Sequence, residues 1–120
     1  MIYIATKDKL DEHLVPLLDY VCRSFGLGAD QLIDSPPAGL PVILVQPQDG
    51  TYVQGDTNLV DFTHPDDCVY LFGGTHGNLE LDFEPDAKLY IPHQPTWNLY
   101  APQAVAIVLY DRYVKRGDFG

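Results

Sequence analysis

Positive charge is what this chain has least of. Its 120 residues carry 7 Lys and Arg against 17 Asp and Glu, a formal net charge of −10. Phosphate backbones are gripped chiefly by Lys and Arg that displace counterions. The chain is therefore a poor unaided nucleic-acid binder. RNA binding would need a local basic patch, a basic partner, or a dimer interface that gathers Arg112, Lys115 and Arg116. Cysteine is scarce as well: Cys22 and Cys68 read as free, buried or half-buried thiols of a reducing compartment. Apolar runs are short, and none reaches the ~18 residues of a membrane span. The opening MIYIATKDK lacks the basic and long apolar regions of a secretion signal, so the expected location is cytoplasmic. The HPDDC stretch at 64–68 has no second spaced ligand pair, so no metal site is expected. Asp66 after Pro65 reads as a turn residue. No repeat, Ser-His-Asp arrangement or Cys-His arrangement is legible.

What remains reads as one domain, 1–120, long enough to bury a core without staples. IYIA at 2–5 is a short apolar strand. Lys7 to Phe25 reads as a helix capped by Thr6. Leu10, Leu14, Leu17, Leu18, Val21, Cys22 and Phe25 form its apolar stripe, with Pro16 as a blemish. Gly26 and Gly28 end it. QLI near 31–33 suggests a brief strand, and NLVDF at 58–62 either a short strand or a helical turn. PVILVQ at 41–46 and CVYLF at 68–72 are continuous apolar runs, as in central strands covered on both faces. KLYIP at 88–92 is another strand. APQAVAIVLYDRYVKR at 101–116 is a C-terminal helix, with Pro102 in its first turn and Lys115 and Arg116 in its last. The order is strand, helix, strand, strand, strand, helix, with separate short apolar runs and long crossovers. The fold class expected is α/β with a mostly parallel sheet and flanking helices.

Open α/β sheets bind ligands beyond the carboxyl ends of their strands. Three loops qualify: Gln46 to Gly50, Gly73 to Gly77, and Pro92 to Leu99. They converge if their strands are neighbours. Glycine lets a ligand approach the backbone closely, although the bend alone also serves an ordinary turn. Tyr100, Tyr110 and Tyr113 suit a dimer face, and Tyr110 and Tyr113, at i and i+3, equally suit packing within the chain. Arg23 also reads as a surface arginine, and Asn98 as a helix N-cap.

LFGGTHGNL, then LYIP, then TWNLYAPQAVAIVLYDRY resembles the C-terminal half of the SPOUT class of trefoil-knotted methyltransferases. The likeness is greatest to the SpoU-type branch, which methylates ribose 2′-hydroxyls of RNA. Gly73 and Gly77 match the bend glycines, Ile91-Pro92 the Ile-Pro, and Thr96-Trp97-Asn98 the Ser-Leu-Asn. CRSFGLGADQLI at 22–33 resembles the segment that places Arg23 at the catalytic arginine. The resemblance implies a C-terminal trefoil knot and S-adenosylmethionine as cofactor. It implies contacts to the cofactor from Val45, Gln46, Phe72, Gly73, Gly74, Thr75, Gly77, Ile91, Trp97 and Leu99. It also implies Asn98 as a second catalytic residue beside Arg23, RNA as substrate, and a homodimer packed through the last helix. Departures stand out. Thr75 replaces the usual glutamate, the interval from Ile91 to Trp97 is short, and Tyr100-Ala101-Pro102 interrupts a run of small residues. The alternative reading is a non-catalytic binding or assembly module that kept the scaffold and lost methyl transfer.

Overall fold

All five side chains of CVYLF are buried, which requires cover on both faces of the strand and a partner on each edge. The computed structural model, which describes residues 1–6, 14–33, 36–46, 57–72, 83–93, 99 and 101–117, meets both requirements. Its elements run β1 (Ile2–Thr6), α1 (Leu14–Ser24), β2 (Leu32–Ile33), β3 (Val42–Gln46), β4 (Thr57–Asn58), β5 (Cys68–Phe72), β6 (Ala87–Tyr90) and α2 (Ala101–Arg116). The six strands form one sheet in the order β2-β1-β5-β3-β6-β4. Each pairing between neighbours is parallel. The α/β reading holds, and the sheet is parallel throughout.

Successive residues of a strand point to opposite faces. Ile2, Ile4, Ile43, Val45, Cys68, Tyr70 and Phe72 therefore fall on one face, in a core that also holds Leu18 and Cys22 of α1 and Ala104, Val105 and Val108 of α2. Ala5, Val42, Leu44, Val69 and Leu71 form a second cluster from the opposite face. Fully burying one such aliphatic side chain contributes roughly 1.5–3 kcal/mol. The apolar runs are continuous because both faces are dry.

Local chemistry sets the ends of the elements. Asn58 caps the short turn Leu59–Asp61, its side chain accepting from the Val60 N–H, so NLVDF is a brief strand followed by a turn. Asp86 fixes the start of β6: its carboxylate accepts from the Val42 N–H at 2.8 Å, and its own N–H donates to the Val42 carbonyl at 2.9 Å. Gln31 ties β2 to β1 by donating to the Ile2 carbonyl.

Thr6 is the last residue of β1, in register with Phe72, and the helix start expected at Lys7 lies outside the described residues. One expectation needs correction. Leu17 is 54% exposed and does not join the buried stripe, which Leu18 and Cys22 supply with Val21 and Phe25 beside them. Residues 7–13 lie outside the described residues. Pro16 is the third residue of the described helix.

After α1 the Gly26 N–H donates to the Arg23 carbonyl and the Leu27 N–H reaches back to the Cys22 carbonyl. Gly26 has φ +80°, and Cys22 and Leu27 share the core, as in a Schellman terminus. Gly26→Ala forces a Cβ into the left-handed region and should lower stability by about 1 kcal/mol. A reduced urea midpoint with an unchanged slope is the expected result.

Candidate functional site

Strand β3 lies between β5 and β6, and register aligns their carboxyl ends. Val45 pairs with Phe72 on one side and Leu89 on the other, and Gln46 pairs with Tyr90. Gln46, Phe72 and Ile91 therefore reach one edge of the sheet together. The side chains of Val45, Phe72 and Ile91 are at most 4% exposed and belong to the helix-covered core. Leu99 packs against that core. A ligand at this edge would meet mainly backbone amides and carbonyls from these strands. Gly73, Gly74, Thr75, Gly77, Trp97 and Asn98 lie outside the described residues.

Arg23 sits elsewhere. It ends α1 with its side chain 63% exposed and its Nε 2.8 Å from Asp19 Oδ2. The chain turns immediately after it and reaches Gln31, which is bonded to Ile2 at the amino end of β1. Arg23 thus lies toward the amino ends of the strands, away from the edge formed by Gln46, Phe72 and Ile91.

The amino end of the sheet holds a polar network that sequence reading missed. Tyr70 points into the core with no exposure, and its hydroxyl must be satisfied there. His64 Nδ1 lies 2.6 Å from Tyr70 Oη, and His64 Nε2 lies 2.7 Å from Asp111 Oδ2. Arg112 Nη1 donates to Tyr70 Oη at 3.0 Å and to the Pro65 carbonyl at 2.6 Å, while Nη2 donates to the Asp66 carbonyl at 3.0 Å. One proton arrangement satisfies these contacts. Arg112 donates to the phenol oxygen, the phenol donates to neutral His64 Nδ1, and His64 Nε2–H donates to the Asp111 carboxylate. Burial pushes the Tyr70 hydroxyl well above the usual tyrosine range. Burial also lowers the His64 pKa; Lys115 and Arg112 act the same way, and the Asp111 hydrogen bond and charge oppose them.

Arg112, Lys115 and Arg116 are all engaged within the chain. Arg112 is 1% exposed. Lys115 Nζ bonds the Leu59 and Phe62 carbonyls and lies 2.8 Å from Asp111 Oδ2. Arg116 bridges to Asp66 Oδ1 at 2.7 Å. All three cations fasten the end of α2 to the segment before β5. A hollow of about 620 Å³ beside them, lined by Phe62, His64, Lys115 and Arg116 among others, borders this fastening rather than the carboxyl edge. The Met1 ammonium pairs with Asp67 across the surface. A signal for the buried arginine was present in the sequence. Ala101, Ala104, Val105, Val108, Leu109 and Arg112 follow helical spacing, so Arg112 falls on the buried stripe.

Both cysteines are free and buried. Burial, with Asp19 adding to it, pushes the Cys22 thiol up to about 11. Burial likewise raises Cys68. Neither is a ready nucleophile. Among the described residues no three His, Cys, Asp or Glu side chains converge as a metal site would require, and no helix is long and apolar enough to cross a membrane. Compared with known proteins, the chain matches no family model and no curated protein.

The His64 shift has a defined sign. Its folded pKa is below the ordinary 6.5, so folding favours the neutral ring. That contribution is full above about 6.5 and is lost as pH falls from there toward the folded value. Replacing His64 by Gln removes it. The stability advantage of the parent over His64→Gln should shrink between pH 7.5 and pH 5 in urea titrations; a constant difference would contradict the assignment.

Proposed function

We propose that the protein binds S-adenosylmethionine at the carboxyl edge of β3, β5 and β6 and transfers its methyl group to RNA, at a ribose 2′-hydroxyl. The alignment of Gln46, Phe72 and Ile91 along one edge carries this reading. The spacing of the glycine bend, the Ile-Pro and the Thr-Trp-Asn segment supports it through the SPOUT resemblance. In this reading the segment before α2 threads into a trefoil knot, an exception to the general absence of threading.

In this reading an adenosine-shaped ligand lies along the edge. Val45, Phe72 and Ile91 keep their side chains in the core, leaving main-chain donors and acceptors for a purine. Gly73, Gly74, Thr75 and Gly77 would close over it, with Gln46, Trp97 and Leu99 completing the hold. When bound, the cofactor supplies a methyl group already activated on a sulfonium. The protein's task is then largely to orient the acceptor. Arg23 polarises the acceptor hydroxyl, and Asn98 positions it. Because Arg23 lies toward the amino end of its own sheet, this role calls for a second copy. Ile107, Tyr110 and Val114 leave an exposed apolar stripe along α2 at i, i+3 and i+7, which supports a homodimer through that helix.

One observation favours the second reading, a binding or assembly module without chemistry. Arg112, Lys115 and Arg116, the cations best placed by sequence to gather RNA phosphate, are committed within the chain.

Titration with S-adenosylhomocysteine by calorimetry should give saturable heat in the micromolar range; none at high micromolar concentration counts against the cofactor. Methyl incorporation into total RNA separates the two readings. Activity in the parent that disappears in Arg23→Ala supports the enzyme, and cofactor binding without transfer in the parent supports the module. Tyr110→Asp should shift the protein toward a monomer in analytical ultracentrifugation while its unfolding stays cooperative; an unchanged sedimentation profile would remove α2 from the interface.

A further inference from the structure

His93 follows β6 by three residues, beyond the buried Ile91 at the carboxyl edge. Its Nδ1 lies 2.6 Å from the Ile91 carbonyl. A carbonyl only accepts, so Nδ1 carries the proton and donates. In the neutral ring Nε2 then holds a lone pair. That atom is shielded from solvent and has no hydrogen-bond partner. Buried polar atoms are nearly always paired, and leaving one unpaired costs its hydration. Arg112 Nε is also without a partner, but its guanidinium is anchored by three other bonds inside the amino-end network. No such anchoring explains His93 Nε2. Its ring orientation is fixed two residues back, at the edge where parallel sheets take their ligands.

We infer that His93 is the polar anchor of a nucleoside ligand at this edge, its Nε2 accepting a hydrogen bond from a ligand N–H or O–H. This rests on the function proposed above and names a contact that function did not assign. The chemistry selects the ligand class. An adenosine unit offers an exocyclic amine and ribose hydroxyls, all of them donors. A phosphodiester has no O–H and only accepts, and its oxygens would face the lone pair of the imidazole. A metal ion would also suit that lone pair, but no other His, Cys, Asp or Glu pair converges with His93 among the described residues.

Nitrogen-15 NMR of the imidazoles tests the lone pair directly. In the free protein His93 should show Nδ1 protonated and Nε2 bare. Adding S-adenosylhomocysteine or adenosine should move the Nε2 resonance upfield, and dimethyl phosphate, which has no O–H, should not. A protonated Nε2 in the free protein, or a dimethyl phosphate response equal to that of adenosine, overturns the inference. In calorimetry His93→Ala should weaken S-adenosylhomocysteine binding about tenfold, the effect of one lost hydrogen bond. His93→Gln, which can still present an acceptor, should recover part of that loss. Urea unfolding of both variants shows whether they remain folded, and the NMR arm needs no substitution. Binding that persists unchanged in folded His93→Ala and His93→Gln overturns the anchor and leaves the proposed function standing. If neither adenosine nor S-adenosylhomocysteine binds the parent, both fall.

Discussion

A phenol buried at the centre of the sheet constrains much of what surrounds it. Tyr70 contributes its ring to the core beneath α2, and its hydroxyl cannot reach water. An unsatisfied buried hydroxyl would cost about 1–3 kcal/mol. The chain meets that demand from two directions, with His64 just ahead of β5 and Arg112 in the last turns of α2. Once Arg112 is drawn inward, its remaining donors fasten the Pro65 and Asp66 carbonyls, and Lys115 and Arg116 hold the neighbouring segment. The buried oxygen is met by Arg112, and three of the seven basic side chains together hold the C-terminal helix to residues 59–66.

This arrangement divides the sheet into two ends with different chemistry. The amino end is closed by carbonyls, carboxylates and guanidinium groups that answer one another. At the carboxyl end Gln46, Phe72 and Ile91 align, the side chains of Phe72 and Ile91 lie in the core, and His93 stands beside them with one nitrogen uncommitted. The proposed ligand site therefore needs no polar group taken from the fastening at the other end. Folding and binding can then respond separately to substitution, and His64 and His93 are the residues that report on each.

Much of the architecture was legible because burial on both faces leaves a plain mark. PVILV and CVYLF read as central strands, and both are. The range 101–116 read as a helix and is one. KLYIP was placed one or two residues late, because Asp86, by bonding Val42, starts β6 at Ala87. Strand order was not legible: β5 between β1 and β3 is a pairing across distant sequence, and no local pattern encodes it. HPDDC was read as turn chemistry because nothing in the five residues says that His64 will face Asp111, 47 positions away. Arg112 was assigned to the surface by its charge although its spacing put it on the apolar stripe. Of the proposed site, the convergence of three strand ends follows from topology. The placement of Arg23 away from them follows from where α1 ends, which the resemblance did not specify.

The strand order also bears on the protein's synthesis. Strand β5 lies between β1 and β3 but follows both in the chain. Until residues 68–72 leave the ribosome, β1 and β3 each lack the neighbour that joins them and keep an edge of unpaired N–H and C=O groups exposed. A nascent chain that stalls before Cys68 would hold two strand fragments with no shared hydrogen bond, the kind of species that chaperones retain and that aggregates when they do not. Assembly of this sheet is thus a late event, set off by the arrival of its middle strand.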